Sequence, residues 1–152
     1  MAPEDQDSVL KDVPLDLLVA YYEHQYDRIK QQEDQRFTIT NIIVGISAIV
    51  FTFGFDKTAA FSMQTGYALL ATVIVVNLFA IAFIIKSESW IDTHRKRAKG
   101  VLAARSQELL KFDRDTHGRI IRAIPGRWSI QVYLHVILMI IAIIMIVAWS
   151  IS

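Results

Sequence analysis

Asp113, Asp115 and His117 are the residues of this 152-residue chain whose types come closest to a metal-ligand set. Two carboxylates and an imidazole at i, i+2 and i+4 cannot all share one helix face, and no further ligand set accompanies them. They read as a solvated turn, and no metal is expected. His24, His94 and His135 stand singly, with His135 expected to hydrogen-bond at a membrane–water boundary. There is no cysteine, which excludes disulfides, thiolate catalysis and Cys-based metal sites. Gly-rich phosphate loops, nucleophile motifs and the His-Glu-x-x-His pattern are all missing from the sequence. The chain offers no catalytic residues, calls for no cofactor and does not read as an enzyme.

The polar residues that do form a pattern lie in apolar surroundings. Thr38, Asn41, Gly45, Ala48 and Thr52 recur at spacings of 3, 4, 3 and 4, a heptad stripe of small and polar side chains. Asn77 is the strongly polar residue of a second apolar run. The small residues Ala68, Ala71 and Ala82 of that run share a face with Val75, while Asn77 points elsewhere, among Leu70 and Val73. Two uses fit both patterns. Small residues let helices approach closely and an amide can bond across the contact. Alternatively, one stripe, the first before the second, lines an aqueous path in a ring of subunits. Asn41 and Asn77 fall at different depths, so no direct bond between them is expected.

The elements that must hold these residues are membrane spans. Hydrophobic residues make up 53% of the chain, gathered in three runs almost free of charge: Phe37–Phe55, Tyr67–Ile85 and Val132–Ile151. At 1.5 Å rise per residue, about 20 apolar residues cross a hydrocarbon core of ~30 Å. Lipid cannot satisfy free backbone groups, so each span must be helical. The fold class expected is an all-α integral membrane protein with three transmembrane helices.

Charge assigns the sides. Residues 1–36 hold four Lys/Arg against nine Asp/Glu, a balance of −5; residues 86–129 hold eleven against five, a balance of +6. The Lys/Arg excess keeps the 86–129 loop in the cytoplasm together with the N-terminus, leaving the C-terminus outside. Trp90, Trp128 and Tyr133 then fall at the inner boundary, with Tyr67 and Trp149 at the outer. The organisation expected is an acidic cytoplasmic helix (1–36), a transmembrane hairpin (37–85), a basic helical segment (86–129) and a third span (130–152). The acidic N-terminus lacks the apolar run of a cleaved secretory signal.

Within the first segment a helix is expected from Pro14, with Asp12 capping it, on through the first span without a break. Leu15, Leu18, Tyr22, Tyr26 and Ile29 mark one face of it. The basic segment reads as a helix over Ser89–Phe112, with Gly100 and Asp113–Gly118 as points where it could break. A short amphipathic piece, Arg119–Ile124, follows, and Pro125-Gly126 ends it. Packing of the acidic helix on the basic segment is the plain reading of the charge pattern. Arg95, Lys96, Arg97 and Lys99 are the group expected to meet anionic lipid headgroups instead. Nucleic acid is not an expected partner.

The stretch Tyr22-Glu-His-Gln-Tyr-Asp-Arg-Ile-Lys30, continued by Gln35-Arg-Phe-Thr-Ile-Thr-Asn41, resembles the start of the small bacterial membrane effectors called SLATT domains. The resemblance covers roughly residues 15–112, and a third span after Pro125 departs from the two-span pattern. It implies an oligomeric, pore-like effector of a bacterial conflict system such as antiphage defence, in the inner membrane, often gated by a partner that senses a nucleotide signal. No nucleotide-binding residues carry over. A self-associating, membrane-permeabilising protein is therefore the leading expectation. A non-conducting anchor that recruits a cytoplasmic protein is the alternative.

Overall fold

The computed structural model describes residues 13–55, 62–105, 111 and 127–151. Among these the chain forms three long helices: α1 (Leu15–Phe55), α2 (Met63–Arg105) and α3 (Arg127–Ile151). Each is long and apolar enough to cross a membrane, and the three runs read from the sequence lie one in each. The protein is a multi-pass, membrane-embedded helical protein.

α1 opens directly after Pro14, whose carbonyl accepts the Leu18 N–H at 3.2 Å. Proline suits this place because the first turn has no use for its missing N–H. The helix then runs unbroken for 41 residues, as the lack of any Gly or Pro from Leu15 to Val44 predicts. The expected cap, Asp12, lies outside the described residues. α2 is capped by Ser62, whose Oγ accepts the Thr65 N–H at 3.2 Å.

α2 differs from its expected form. The helix expected from Ser89 does not begin afresh there but continues the second apolar run through Lys86, and Gly100 does not interrupt it. A Cβ at Gly100 would meet nothing within 4 Å, so neither crowding nor a turn accounts for glycine there. One glycine costs a helix about 1 kcal/mol, too little to break 43 residues of it. Arg119–Ile124, Asp113–Gly118 and Pro125-Gly126 lie outside the described residues.

Two compact units divide the chain. Unit 1 comprises Met1–Asp34 with Ser87–Gly126, and unit 2 comprises Gln35–Lys86 with Arg127–Ser152. In unit 1, Leu18, Gln25 and Ile29 of α1 are buried, as are Ser87, Ile91, Ala98 and Val101 of α2. The buried face of α1 is turned slightly from the one its apolar residues mark. Tyr26 and Leu15 are exposed, and Gln25 is buried because His94 bonds its amide.

In unit 2, Leu70, Val73, Ala142 and Met145 form the core, packed by Val50, Phe51, Ile74, Ile141, Ile146 and Trp149. α2 and α3 run antiparallel: Tyr67 meets Trp149 at one end, edge to face at 6.0 Å, and Asn77 meets His135 further along. Ala80 and Ala142 are fully buried, and their small size lets the helices close on one another. The outward faces carry Ile42, Ile49, Val75, Phe79, Ile137 and Ile144 instead, all at least half exposed. A helical unit with polar groups inside and large aliphatic groups outside is matched to a hydrocarbon solvent.

Candidate functional site

Three fully buried polar side chains, one from each helix, meet inside unit 2: Ser47 of α1, Asn77 of α2 and His135 of α3. Asn77 Nδ2 donates to Ser47 Oγ at 3.0 Å and to the Val73 carbonyl one turn back at 2.8 Å. Its Oδ1 then accepts from His135 Nδ1–H at 2.7 Å. The direction follows from the amide. A carbonyl oxygen donates nothing, so the imidazole must carry its proton on Nδ1. All of the Asn77 hydrogen-bonding groups are engaged at once, which suits an amide in a place without water.

Asn77 is therefore the hub of an intrachain network that joins all three helices. Because α3 begins at Arg127, five residues before Val132, His135 stands two turns inside the helix and in the core of the unit. Ser47 and His135 escaped the site predicted from sequence. Ser47 lies seven residues from Thr40, which is also buried, so a second polar face flanking the heptad stripe was the one available signal.

The stripe itself faces the other way. Thr38, Asn41, Gly45, Ala48 and Thr52 are all exposed, while Arg36, Thr40, Ile43 and Ser47 supply the buried face of α1. A Cβ at Gly45 would meet nothing within 4 Å. Thr52 Oγ1 folds back to the Ala48 carbonyl at 2.9 Å. The Asn41 amide has no partner among the described residues.

Unit 1 carries a second polar arrangement. His94 Nδ1 donates to Gln25 Oε1 at 2.7 Å, and its ring stacks on Trp90 at 6.3 Å. Desolvation, with Arg97, Arg28 and His24 nearby, holds the His94 imidazole below its usual pKa. Of the four cations expected at headgroups, Arg95 spans Glu33 at 3.5 Å and Glu88 at 3.3 Å, staying half exposed. Lys96 pairs with Asp92 at 2.7 Å within α2 and is largely exposed. Lys99 is exposed. Lys96 and Arg97 border a cavity of about 630 Å³ whose far wall is Leu17, Leu18 and Tyr21.

Compared with protein-family models, with curated proteins and with solved structures, the chain matches none.

Proposed function

We propose that this protein is a homo-oligomeric pore or permeabilising element of a bacterial inner membrane, assembled through the exposed stripe of α1. The observation that carries the reading is the outward stripe Thr38–Asn41–Gly45–Ala48–Thr52 on an otherwise aliphatic exterior. A carboxamide in hydrocarbon without a hydrogen-bond partner is costly. A second copy, or water held between several copies, supplies the partner that Asn41 lacks within its own chain. Gly45 and Ala48 let a neighbouring helix approach closely. The resemblance of Tyr22–Asn41 to SLATT domains supports the same reading. Three helices from one chain enclose no channel, so conduction needs several copies.

The distribution of Lys and Arg supports an N-terminus and an 86–129 segment in the cytoplasm, with the C-terminus outside. Arg95, Lys96, Arg97 and Lys99 then stand near anionic headgroups, at roughly 1 kcal/mol per cation close to the surface. We assign the chain no catalysed reaction.

The test is the mass of the purified, lipid-reconstituted particle together with ion flux. Multimers in which Asn41→Leu and Thr52→Leu reduce flux while preserving assembly are expected. A monomer, or unchanged flux in both variants, overturns the pore. One observation favours a second reading, a non-conducting anchor: the cavity between Tyr21 and Arg97 has apolar walls and a cationic rim suited to an acidic, partly apolar protein segment.

A further inference from the structure

Besides His135 Nε2, two buried polar atoms of unit 2, Gln131 Oε1 and Thr40 Oγ1, have no hydrogen-bond partner among the described residues. Gln131 precedes His135 by one turn and shares its face of α3, and Thr40 precedes Ser47 by two turns on the buried face of α1. Thr40 and Gln131 thus lie to one side of the level of Ser47 and His135 along their helices, within the same unit. With the ring proton held on Nδ1 by Asn77 Oδ1, a neutral His135 keeps a bare lone pair on a buried Nε2.

We infer that His135 Nε2 is a proton-binding site inside the three-helix unit, reached by water from the Thr40–Gln131 side, with Gln131 Oε1 as acceptor for the protonated ring. Buried polar groups are normally satisfied by protein or by internal water, and these atoms offer a water both donors and acceptors. An ionisable group within a span is by default a functional one. On protonation a hydronium O–H breaks, an Nε2–H forms, neutral water leaves and the charge passes to the ring. The new N–H then donates to Gln131 Oε1, which is ready to accept it.

No carboxylate among the described residues of unit 2 compensates the charge. Residues 37–53 of α1, 67–85 of α2 and 128–151 of α3 contain no Asp, Glu, Lys or Arg. Tyr67 and Tyr133 are the other titratable groups there; Tyr67 sits beside Trp149 and Ser150, and Tyr133 is exposed. Among the described residues of unit 2 the charged ones are Arg36, Lys86 and Arg127, all cations. At 1.5 Å per residue they stand ~16, ~13 and ~12 Å along their helices from Ser47, Asn77 and His135. Neutral acceptors alone must therefore hold the imidazolium.

The experiment is ¹⁵N NMR of the full chain, labelled at the histidine rings, in phosphatidylcholine bilayers. His135→Gln assigns the His135 signal among the four histidines. At about pH 8 the Nδ1–H tautomer with a bare Nε2 is expected, converting to the cation on acidification of the sample. Gln131→Leu should lower the midpoint by about one pH unit, the worth of one hydrogen bond to a charged group. Gln131→Glu should raise the midpoint, and it keeps the question open to test should the leucine variant misfold. A proton resting on Nε2, a ring neutral throughout, or a midpoint indifferent to both Gln131 variants overturns the proposal. A monomer in lipid would give the same titration, so this result is independent of whether the protein forms a pore.

Discussion

The indole of Trp149 occupies the space that a side chain at Gly66 would need. Gly66 is buried on α2, and Trp149 is held there edge to face by Tyr67. Of the two glycines that lie in unit 2 helices and whose surroundings are known, one is open and one is filled. That contrast makes the first prediction specific.

Gly66→Ala should destabilise unit 2 by about 1–3 kcal/mol through overpacking, offset by up to ~1 kcal/mol of helix propensity. Adding Trp149→Ala should make the double variant less than additive. Gly45→Ala, by contrast, should leave intrachain stability unchanged or slightly raised. Steric trapping or thermal unfolding in lipid measures all three, and equal losses at both glycines would contradict the packing described.

Asn77→Leu removes a group that joins three helices and leaves the His135 Nδ1–H without an acceptor. A loss of about 1–3 kcal/mol is expected, the cost of an unsatisfied buried donor. Ser47→Ala removes a single interhelical bond and should cost only ~0.6 kcal/mol, typical of such bonds in membranes. If the two substitutions prove equal, the amide is not the hub.

His94 sets a pH dependence in unit 1. Its folded-state pKa lies below the ordinary value of 6.5, so the unfolded chain binds the proton more readily. Stability is therefore complete above about pH 6.5 and falls as the pH drops from there through the lowered value. Amide exchange around Gln25 and His94 should quicken on acidification, and His94→Gln should flatten the response. Exchange that slows in acid would reverse the sign and refute the assignment.

Arg95 illustrates how little an exposed pair contributes. It contacts two carboxylates yet remains half exposed, so Arg95→Ala should change stability by no more than about 1 kcal/mol. Its larger effect should be on lipid. Sedimentation of peptides spanning residues 86–105 with anionic vesicles should weaken as Arg95, Lys96, Arg97 and Lys99 are neutralised in turn.

What the sequence makes legible follows from which forces are local. Length and apolarity over some 20 residues identify a span wherever it sits, and all three appear. The continuity of α1 follows from the absence of any breaker between Leu15 and Val44. The continuity of α2 was obscured because the change from apolar to charged at Lys86 looks like an element boundary, though the helical backbone runs straight through it. The Ser47–Asn77–His135 network was not legible, since its bonds join residues 30 and 58 positions apart. Periodicity reports which residues of one helix share a face; it does not report which face another helix meets. For the same reason the stripe on α1 was visible as a pattern but not as an outward one.

The Asn77 carboxamide has a further effect, on uniqueness. Aliphatic surfaces in lipid tolerate many rotational settings of one helix against the next. This amide does not, because its oxygen and its nitrogen are committed to different helices. Shifting any one of the three by a single residue swings its side chains by about 100° and strands a partner. A variant with the same volumes and no amide could keep its helices together yet sample several phasings, losing definition before it loses cohesion.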